Sequence, residues 1–485
     1  MTLRELFDAV GAGGDVAIAG LTADSRAVRP GFVFAALQGV VHHGRDFIAA
    51  AKAAGAVAVL HAGDADAQGL IEIVAPDARR ALALAAARFY PRQPETIVAV
   101  TGTNGKSSTV DFLRQIWAAQ GVRAASLGTL GAIGPADLAD GVIDLGHTTP
   151  DPVAIHATLQ RLADAGVTHV AMEASSHGLE QRRLDGVRLR AGAFTNLTQD
   201  HLDYHGDMDA YRAAKLRLWR LIGGPGPVVI NADAVEAEAF EQEALRLGLD
   251  VVSCGWRASA YRNGLKIAQI QPRPDSQTLT LMWNGAERDV DLPLIGEFQA
   301  INAVTAAALA LALGGDFDGA LDAMTTLKPV RGRIEHVGAT AQGAHVFVDY
   351  AHTPDGLDVL LRAARPHAPG RIVLAFGCGG DRDAGKRPKM GAVAHRLADV
   401  VIVTDDNPRS EDASVIRKHI LAACPGALEI GDRGEAIRAG VAMLRPGDAL
   451  LIAGKGHETG QIVGARVLPF SDQVAARAAL AERAA

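Results

Sequence analysis

The chain has 485 residues, 48% hydrophobic and 21% charged, a balance that supplies several buried cores and excludes a disordered or fibrous protein. A formal charge of −7 with dispersed lysines and arginines argues against a nucleic-acid partner, and three widely spaced cysteines, Cys254, Cys378 and Cys424, exclude a disulfide framework and fit a reducing cytoplasm. The most apolar stretch, 303–313, falls short of the roughly 20 residues of a bilayer span, and Met1 to Asp8 carries acidic groups where an export signal would be basic, so a soluble chain with no membrane partner is expected.

Three domains suit this length. Residues 1–93 contain short apolar runs at 32–37 and 56–60 and a helical pattern over 77–89, a small α/β unit. Pro91-Arg92-Gln93-Pro94 opposes helix continuation and marks a boundary. In 94–327, strands at 97–100, 124–127, 168–173, 228–231 and 250–253 alternate with helices from Lys106 and over 153–165, 211–222 and 235–247, the pattern of a doubly wound parallel sheet. Between 261 and 294 the pattern becomes alternating and turn-rich, as in Thr278-Leu279-Thr280-Leu281-Met282-Trp283, which predicts an antiparallel extension, and a helix over 299–313 closes the block. Residues 328–485 alternate again, with strands at 346–350, 372–376, 400–404 and 449–453. The expected fold class is therefore α/β: a small N-terminal domain, a central P-loop domain on a doubly wound parallel sheet with an antiparallel extension, and a C-terminal Rossmann-like domain.

Chemistry is expected just beyond the carboxyl ends of the central strands. Thr101-Gly102-Thr103-Asn104-Gly105-Lys106-Ser107-Ser108 follows the run 97–100 and opens a helix. Glycines admit backbone N–H groups to phosphate oxygens, the helix N-terminus adds a positive dipole end, Lys106 a point charge, and Ser107 a hydroxyl for Mg²⁺. An ordinary P-loop has a glycine where Val100 stands, so this is a shortened triphosphate cradle or, alternatively, a plain glycine turn. The strand at 168–173 ends in Glu173-Ala174-Ser175-Ser176-His177, and Phe194 leads to Thr195-Asn196 and Asp200-His201-Leu202-Asp203-Tyr204-His205. Ser107 and Glu173 offer hard oxygen ligands for Mg²⁺, with His201 completing a second site. His201 and His205, four apart, also admit zinc, though no third soft ligand accompanies them. The turn Gly377-Cys378-Gly379-Gly380 departs from the dinucleotide fingerprint.

Jointly, Gly102-Thr-Asn-Gly-Lys-Ser-Ser108, His147-Thr-Thr-Pro-Asp151, Met172-Glu-Ala-Ser-Ser-His-Gly-Leu179, Asp200-His-Leu-Asp-Tyr-His-Gly-Asp207 and Asp349-Tyr-Ala-His-Thr-Pro-Asp355 resemble the Mur ligase family, and the likeness to its third-residue-adding members runs from end to end. The resemblance implies an ATP-dependent amide ligase of cytoplasmic peptidoglycan precursor synthesis, a monomer that extends UDP-N-acetylmuramoyl-L-alanyl-D-glutamate by one diamino acid through an acyl phosphate. It implies catalytic roles for Lys106, Glu173, His201 and Lys215, the last as a carbamylated lysine (N6-carboxylysine) that helps to hold the second Mg²⁺. It places Asn302, Arg333 and Asp349 with Gly102 to Ser108 on ATP, and Ser25, Thr148, Thr149, Ser175, Gln181 and Arg183 on the UDP-muramoyl peptide. Gln299 stands where asparagine is common in the family.

In the third block, Gly379-Gly-Asp-Arg-Asp383, Asp405-Asp-Asn-Pro-Arg409 and Gly454-Lys-Gly-His-Glu458 each follow an expected strand. The stretch Asp406, Asn407, Pro408, Arg409 resembles the meso-diaminopimelate enzymes, whereas lysine-adding relatives usually lack that arginine. Diaminopimelate differs from lysine by a distal carboxylate, which Arg382 and Arg409 are suited to bind with charge-assisted bonds, with Gly454 and Glu458 beside the distal ammonium. A lysine-adding relative, a folylpolyglutamate synthetase, which shares the Gly-Thr-Asn-Gly-Lys loop, and a nucleotide-binding switch without ligation are the competing readings.

Overall fold

The computed structural model describes residues 1–8, 13–39, 42–63, 65–135, 137, 142–143 and 146–484. The chain folds into two compact units, Met1–Leu265 with Thr305–Ala320, and Lys266–Val304 with Leu321–Ala485.

The first unit holds two sheets. Strands Gly20–Thr22, Phe32–Ala35, Ala58–His61 and Ile71–Val74 lie side by side in chain order, all parallel. The helix Ala78–Phe89 starts where the Asp77 carboxylate accepts the Arg80 N–H at 3.0 Å, and it buries Leu82, Ala85 and Ala86 in one core with Leu3 and Leu60. The larger sheet orders its strands Asp250–Gly255, Pro227–Asn231, Leu189–Phe194, Thr96–Thr101, His169–Glu173 and Ala124–Gly128, all parallel, with the short antiparallel strands Gly131–Ile133 and Val142–Ile143 at the edge. Its interior strands are buried on both faces, which is why they read as unbroken apolar runs.

The order has one consequence for the site. From Thr96–Thr101 the chain winds toward Ala124–Gly128; from Leu189–Phe194 it winds the other way, toward Pro227–Asn231. The connections leaving those two neighbouring strands run to opposite sides, which makes this the switch point of the sheet, where α/β proteins place their ligand loops. Leu189–Phe194 is central, yet its Leu-Arg-Ala-Gly-Ala-Phe sequence predicts no strand. Gly192 is required there by the Trp219 ring, from which a Cβ would lie 2.9 Å, so tertiary packing overrides weak local propensity. The helix expected over 211–222 begins earlier, at Met208, because Asp207 caps it by accepting the Ala210 N–H at 2.8 Å; after Leu216 it tightens into a 3₁₀ turn, Arg217–Leu221.

In the second unit, Gln277–Trp283 and Ala286–Leu292 form the antiparallel hairpin that alternation predicted, paired from Gln277↔Leu292 to Trp283↔Ala286. A six-stranded sheet follows in the order Glu335–Ala339, His345–Asp349, Ala449–Ala453, Ile372–Phe376, Val400–Val403 and Leu428–Glu429, parallel except for its first strand. Apolar cores cover both faces, one around Phe347, Leu374 and Leu451, the other around Val346, Val373 and Leu450. The hairpin Gly460–Val463 and Arg466–Pro469 was not legible: its strands are short, and Val467 and Leu468 face solvent.

Candidate active site

The loop after Thr96–Thr101 is held in shape by the loop after Leu189–Phe194. Thr103 N–H donates to the Asn196 carbonyl (2.8 Å), Asn104 N–H to Asn196 Oδ1 (2.9 Å), and Thr195 Oγ1 to the Asn104 carbonyl (2.6 Å). Gly102, at φ +149°, leaves no room for a side chain: a Cβ would fall 1.9 Å from Thr195 Oγ1. Gly105 is the N-cap of Lys106–Ala119 and supplies no side-chain cap, so the first N–H groups of that helix, with the positive dipole end, stay available to an anion.

Two lysines converge on one carbonyl oxygen. Lys106 Nζ donates to the carbonyls of Gly102 (2.9 Å) and Thr103 (2.8 Å), and Lys215 Nζ to the Gly102 carbonyl (2.8 Å). Lys215 is 1% exposed, lies over the Tyr211 ring at 4.5 Å, and is held well below the usual lysine range by burial and then by the Lys106 charge. Burial pushes the Tyr211 phenol up to about 12, and its hydroxyl lies 3.2 Å from Thr103 Oγ1.

Beside the loop, Glu173 is 2% exposed; its Oε1 accepts the Thr129 N–H at 2.7 Å and its Oε2 lies 3.4 Å from Thr129 Oγ1. Ser107 Oγ reaches the same Thr129 hydroxyl at 3.5 Å, and Thr148 Oγ1 at 3.0 Å. This set of hydroxyls around one buried carboxylate is chemically suited to Mg²⁺, a hard cation that takes oxygen ligands. Thr149 Oγ1 bonds the Glu173 carbonyl and receives the Ser175 N–H, both at 3.0 Å, and Ser175 Oγ caps the helix Ser176–Glu180 through the Gly178 N–H. Arg183 donates to the Thr149 carbonyl (2.6 Å) and Gln181 Oε1 (2.7 Å), and Gln181 Nε2 to the Tyr204 hydroxyl (3.0 Å). Thr148, Thr149, Ser175, Gln181 and Arg183 are thus one cluster; Ser25 sits apart in the 3₁₀ turn Ser25–Ala27, started by Asp24.

His201 adopts φ 54° and lies edge-on to the His177 ring at 4.9 Å, with Nε2 3.5 Å from Asp200 Oδ2. Both His205 nitrogens are engaged, Nε2 at Ser176 Oγ (3.0 Å) and Nδ1 at Glu180 Oε2 (3.2 Å), which removes the geometric basis for a zinc pair. Among the described residues no group of three or more His, Cys, Asp or Glu converges as a ready metal site.

In the second unit, Asn302 Nδ2 donates to Gln299 Oε1 (3.2 Å) and Gln299 Nε2 to the Arg333 carbonyl (3.0 Å), so the glutamine, at the position where the family commonly has asparagine, links two of the expected nucleotide residues. Asp349 accepts the Ile334 and Ala351 N–H groups, both at 2.7 Å; burial raises its carboxyl above the usual range, and the Arg333 charge opposes that rise. Arg333 lies over the Tyr350 ring at 5.1 Å.

The three polar loops of the second unit meet at the carboxyl edge of its sheet. Arg409 Nη1 donates to the Gly380 carbonyl (2.8 Å), and Asp381 accepts the Ser410 hydroxyl (2.5 Å), which stitches the loop carrying exposed Arg382 to the one carrying Arg409. Asn407 Nδ2 donates to Glu458 Oε2 (2.8 Å), and fully buried Lys455 bonds both Asn407 Oδ1 and Glu458 Oε2 at 3.0 Å. Burial raises the Glu458 carboxyl, but the bonds from Asn407 and Lys455 outweigh it and leave the group below its ordinary value. Gly454 follows the strand Ala449–Ala453, and Asp406 and Pro408 are buried. Sequence reasoning missed Thr129, Tyr211, Tyr204 and Lys455 as members of these clusters. Thr129 stands two residues past the strand expected at 124–127, and Tyr204 and Lys455 lie inside the motifs at 200–207 and 454–458, so these carried a signal; Tyr211 reads as an ordinary helix residue.

A nucleotide loop at the switch point of a parallel sheet, followed by a second sheet with charged loops at its carboxyl edge, defines a nucleotide-using α/β enzyme. Three family descriptions match: "Mur ligase family, catalytic domain" over residues 17–90, "Mur ligase middle domain" over 100–310, and "Mur ligase, glutamate ligase domain" over 332–456. A UDP-N-acetylmuramoyl-L-alanyl-D-glutamate--2,6-diaminopimelate ligase from Chelativorans sp. is 50% identical over 491 residues, covering 100% of both chains. A solved structure of a ligase with that same name is similar with a TM-score of 0.76 and 32% identity over 100% of this chain and 99% of that one. A folylpolyglutamate synthase from Mycobacterium tuberculosis shares the fold, with a TM-score of 0.61 and 21% identity over 78% of this chain and 92% of its own. The chain belongs to the Mur ligase family. Among its described residues no helix is long and apolar enough to cross a membrane.

Proposed function

We propose that this protein is an ATP-dependent ligase that joins meso-2,6-diaminopimelate to UDP-N-acetylmuramoyl-L-alanyl-D-glutamate in the synthesis of peptidoglycan precursors, with a cytoplasmic location. The observation that carries the ATP-using half of this reading is the carbonyl of Gly102 shared by Lys106 and Lys215 at an uncapped helix N-terminus. Two lysine side chains meeting at one carbonyl beside an uncapped helix N-terminus form a site suited to an anion. Full-length identity of 50% to a ligase bearing that name supports the acceptor and amino acid.

A carboxylate is a poor electrophile, so the substrate carboxylate first attacks the γ-phosphorus and displaces ADP, giving an acyl phosphate. The amine then adds to that carbonyl, and the tetrahedral intermediate expels phosphate. Lys106 and the N–H groups of the loop screen the phosphoryl oxygens, and Thr148, Thr149, Ser175, Gln181 and Arg183 orient the acceptor. Ser107 and Glu173, with His201 at a second position, would hold Mg²⁺, which adds positive charge where phosphoryl charge develops. Lys215, whose burial favours the neutral amine, is able in that form to take up CO₂ as a carbamate with loss of one proton, which turns an amine into an oxygen ligand. Arg382 and Arg409 receive the distal carboxylate of diaminopimelate, and Asp406, Asn407 and Glu458 order that loop. On this reading residues 1–93, with Ser25, bind the UDP end, 94–327 the triphosphate and acceptor, and 328–485 the amino acid.

The test is phosphate release from ATP with the UDP-muramoyl dipeptide, compared across diaminopimelate, L-lysine, and a folate with glutamate. Release that requires the muramoyl dipeptide and diaminopimelate together is expected. Equal turnover with lysine, or release with the folate pair, would overturn the assignment.

A further inference from the structure

Asp185 belongs to none of the clusters above, yet it is a nearly buried carboxylate whose two oxygens both accept from one guanidinium nitrogen. Arg217 Nη2 lies 2.5 Å from Asp185 Oδ1 and 2.7 Å from Oδ2, and Arg217 Nη1 donates to the Leu179 carbonyl at 2.9 Å. Arg217 stands two residues past Lys215, where its helix tightens into the 3₁₀ turn. Leu179 lies on the helix that Ser175 caps, and Asp185 lies in the turn just after Gln181 and Arg183. That turn is pinned from a third side: the Asp185 carbonyl meets His156 Nε2 at 3.1 Å, and His156 is on the helix Pro152–Asp164, which starts directly after Thr148 and Thr149. One fork therefore ties the end of the Lys215 helix to the segment that carries the acceptor cluster.

We propose that Asp185 and Arg217 are positioning residues for the ligation reaction: the pair sets the axial placement of Lys215 against the Gly102 carbonyl from the segment that orients the muramoyl-peptide carboxylate. The inference rests on the reading of Lys215 given above. Stability alone is a weak reason for such a pair, because a buried ion pair is often replaceable by neutral residues of similar volume without loss of stability. What neutral residues do not reproduce is the two-point hold of one rigid guanidinium, Nη1 on the Leu179 carbonyl and Nη2 on the Asp185 carboxylate, which restricts both the angle and the distance of the two elements. The pair also borders a cleft of about 550 Å³ lined in addition by Arg80, Arg182 and Arg220, so water can solvate a neutral replacement and the chain need not collapse around it.

The test uses the full-length enzyme with the double substitution Asp185→Asn, Arg217→Gln, which leaves no unpaired member of this pair, and the conservative Arg217→Lys. In the double variant kcat is expected to fall at least about ten-fold while KM for ATP stays within about two-fold, with Arg217→Lys recovering part of kcat. Thermal unfolding separates this from general damage. A double variant that keeps both its melting temperature and kcat overturns the proposal, and so does one in which kcat and melting temperature fall together while KM for ATP rises and Arg217→Lys recovers nothing. Lys215→Ala, assayed in parallel, separates the premise: full activity in that variant sinks the role of Lys215 itself, whereas an inactive Lys215→Ala beside a fully active double variant sinks only the link.

Discussion

The loop site of the first unit and the amino-acid loops of the second solve the problem of holding charge in opposite ways. Around Gly102, shape comes from backbone and hydroxyl groups, and two lysine side chains meet at one carbonyl oxygen. Around Asn407, Lys455 and Glu458, cation and anion are already paired, and Arg409 is fixed by a carbonyl from a neighbouring loop. The first arrangement is suited to an added anion and owes its precision to sterics; the second is closed by its own pairs, with the proposed diaminopimelate fork, Arg382 and Arg409, beside them. Changes in backbone shape should therefore injure the first site most, whereas at the second site the loss of one charge should fall on a single substrate.

The largest effect is expected from Gly102→Val, which forces a side chain into Thr195 and a β-branched residue into a glycine conformation: ATP-dependent phosphate release should drop by about 10³-fold or more, about 4 kcal/mol of transition-state stabilisation. Near-parental release would show that the loop tolerates reshaping and erase the contrast. Lys215→Ala should cost about 10²- to 10³-fold in turnover and recover partly with small added carboxylates, a recovery measured by titrating them into the assay. Arg409→Ala should lower kcat/KM for diaminopimelate by about 10²-fold and leave ATP affinity within about two-fold, since a missing guanidinium leaves the substrate's charge without its partner. Equal losses for both substrates would place Arg409 among structural residues instead.

A smaller effect concerns acid stability. Burial lowers the His156 imidazole to about 4, so the folded state keeps it neutral while the unfolded state binds a proton from about pH 6.5 downward. The unfolded state holds more protons in that window, and stability must fall as pH falls; between pH 7.5 and 5 the loss assignable to this group is about 2 kcal/mol. His156→Leu should flatten the slope by that amount in denaturant titrations at the two pH values, and an unchanged slope would refute the assignment.

Much of this was legible in the letters because periodicity and spacing report local physics. The parallel strands around 97–100 and 372–376 are buried on both faces and announce themselves as apolar runs; Asp77 marks the start of its helix. Leu189–Phe194 escaped because Arg190 and Gly192 weaken the pattern and only the Trp219 ring explains them. At the site, the loop, Glu173 and the Asp406–Arg409 stretch were readable from motif and position. Thr129 as the hydroxyl that joins Ser107 to Glu173, and Lys455 as the cation inside the Asn407–Glu458 pair, depend on contacts between loops that no spacing rule encodes.

The shared carbonyl of Gly102 also bears on how such a chain can change. Lys106 and Lys215 lie far apart in sequence, but they share one acceptor and the Lys106 charge acts on Lys215, so the two side chains form one electrostatic unit. A substitution at either position changes the surroundings of the other, so the pair is best randomised together in a library.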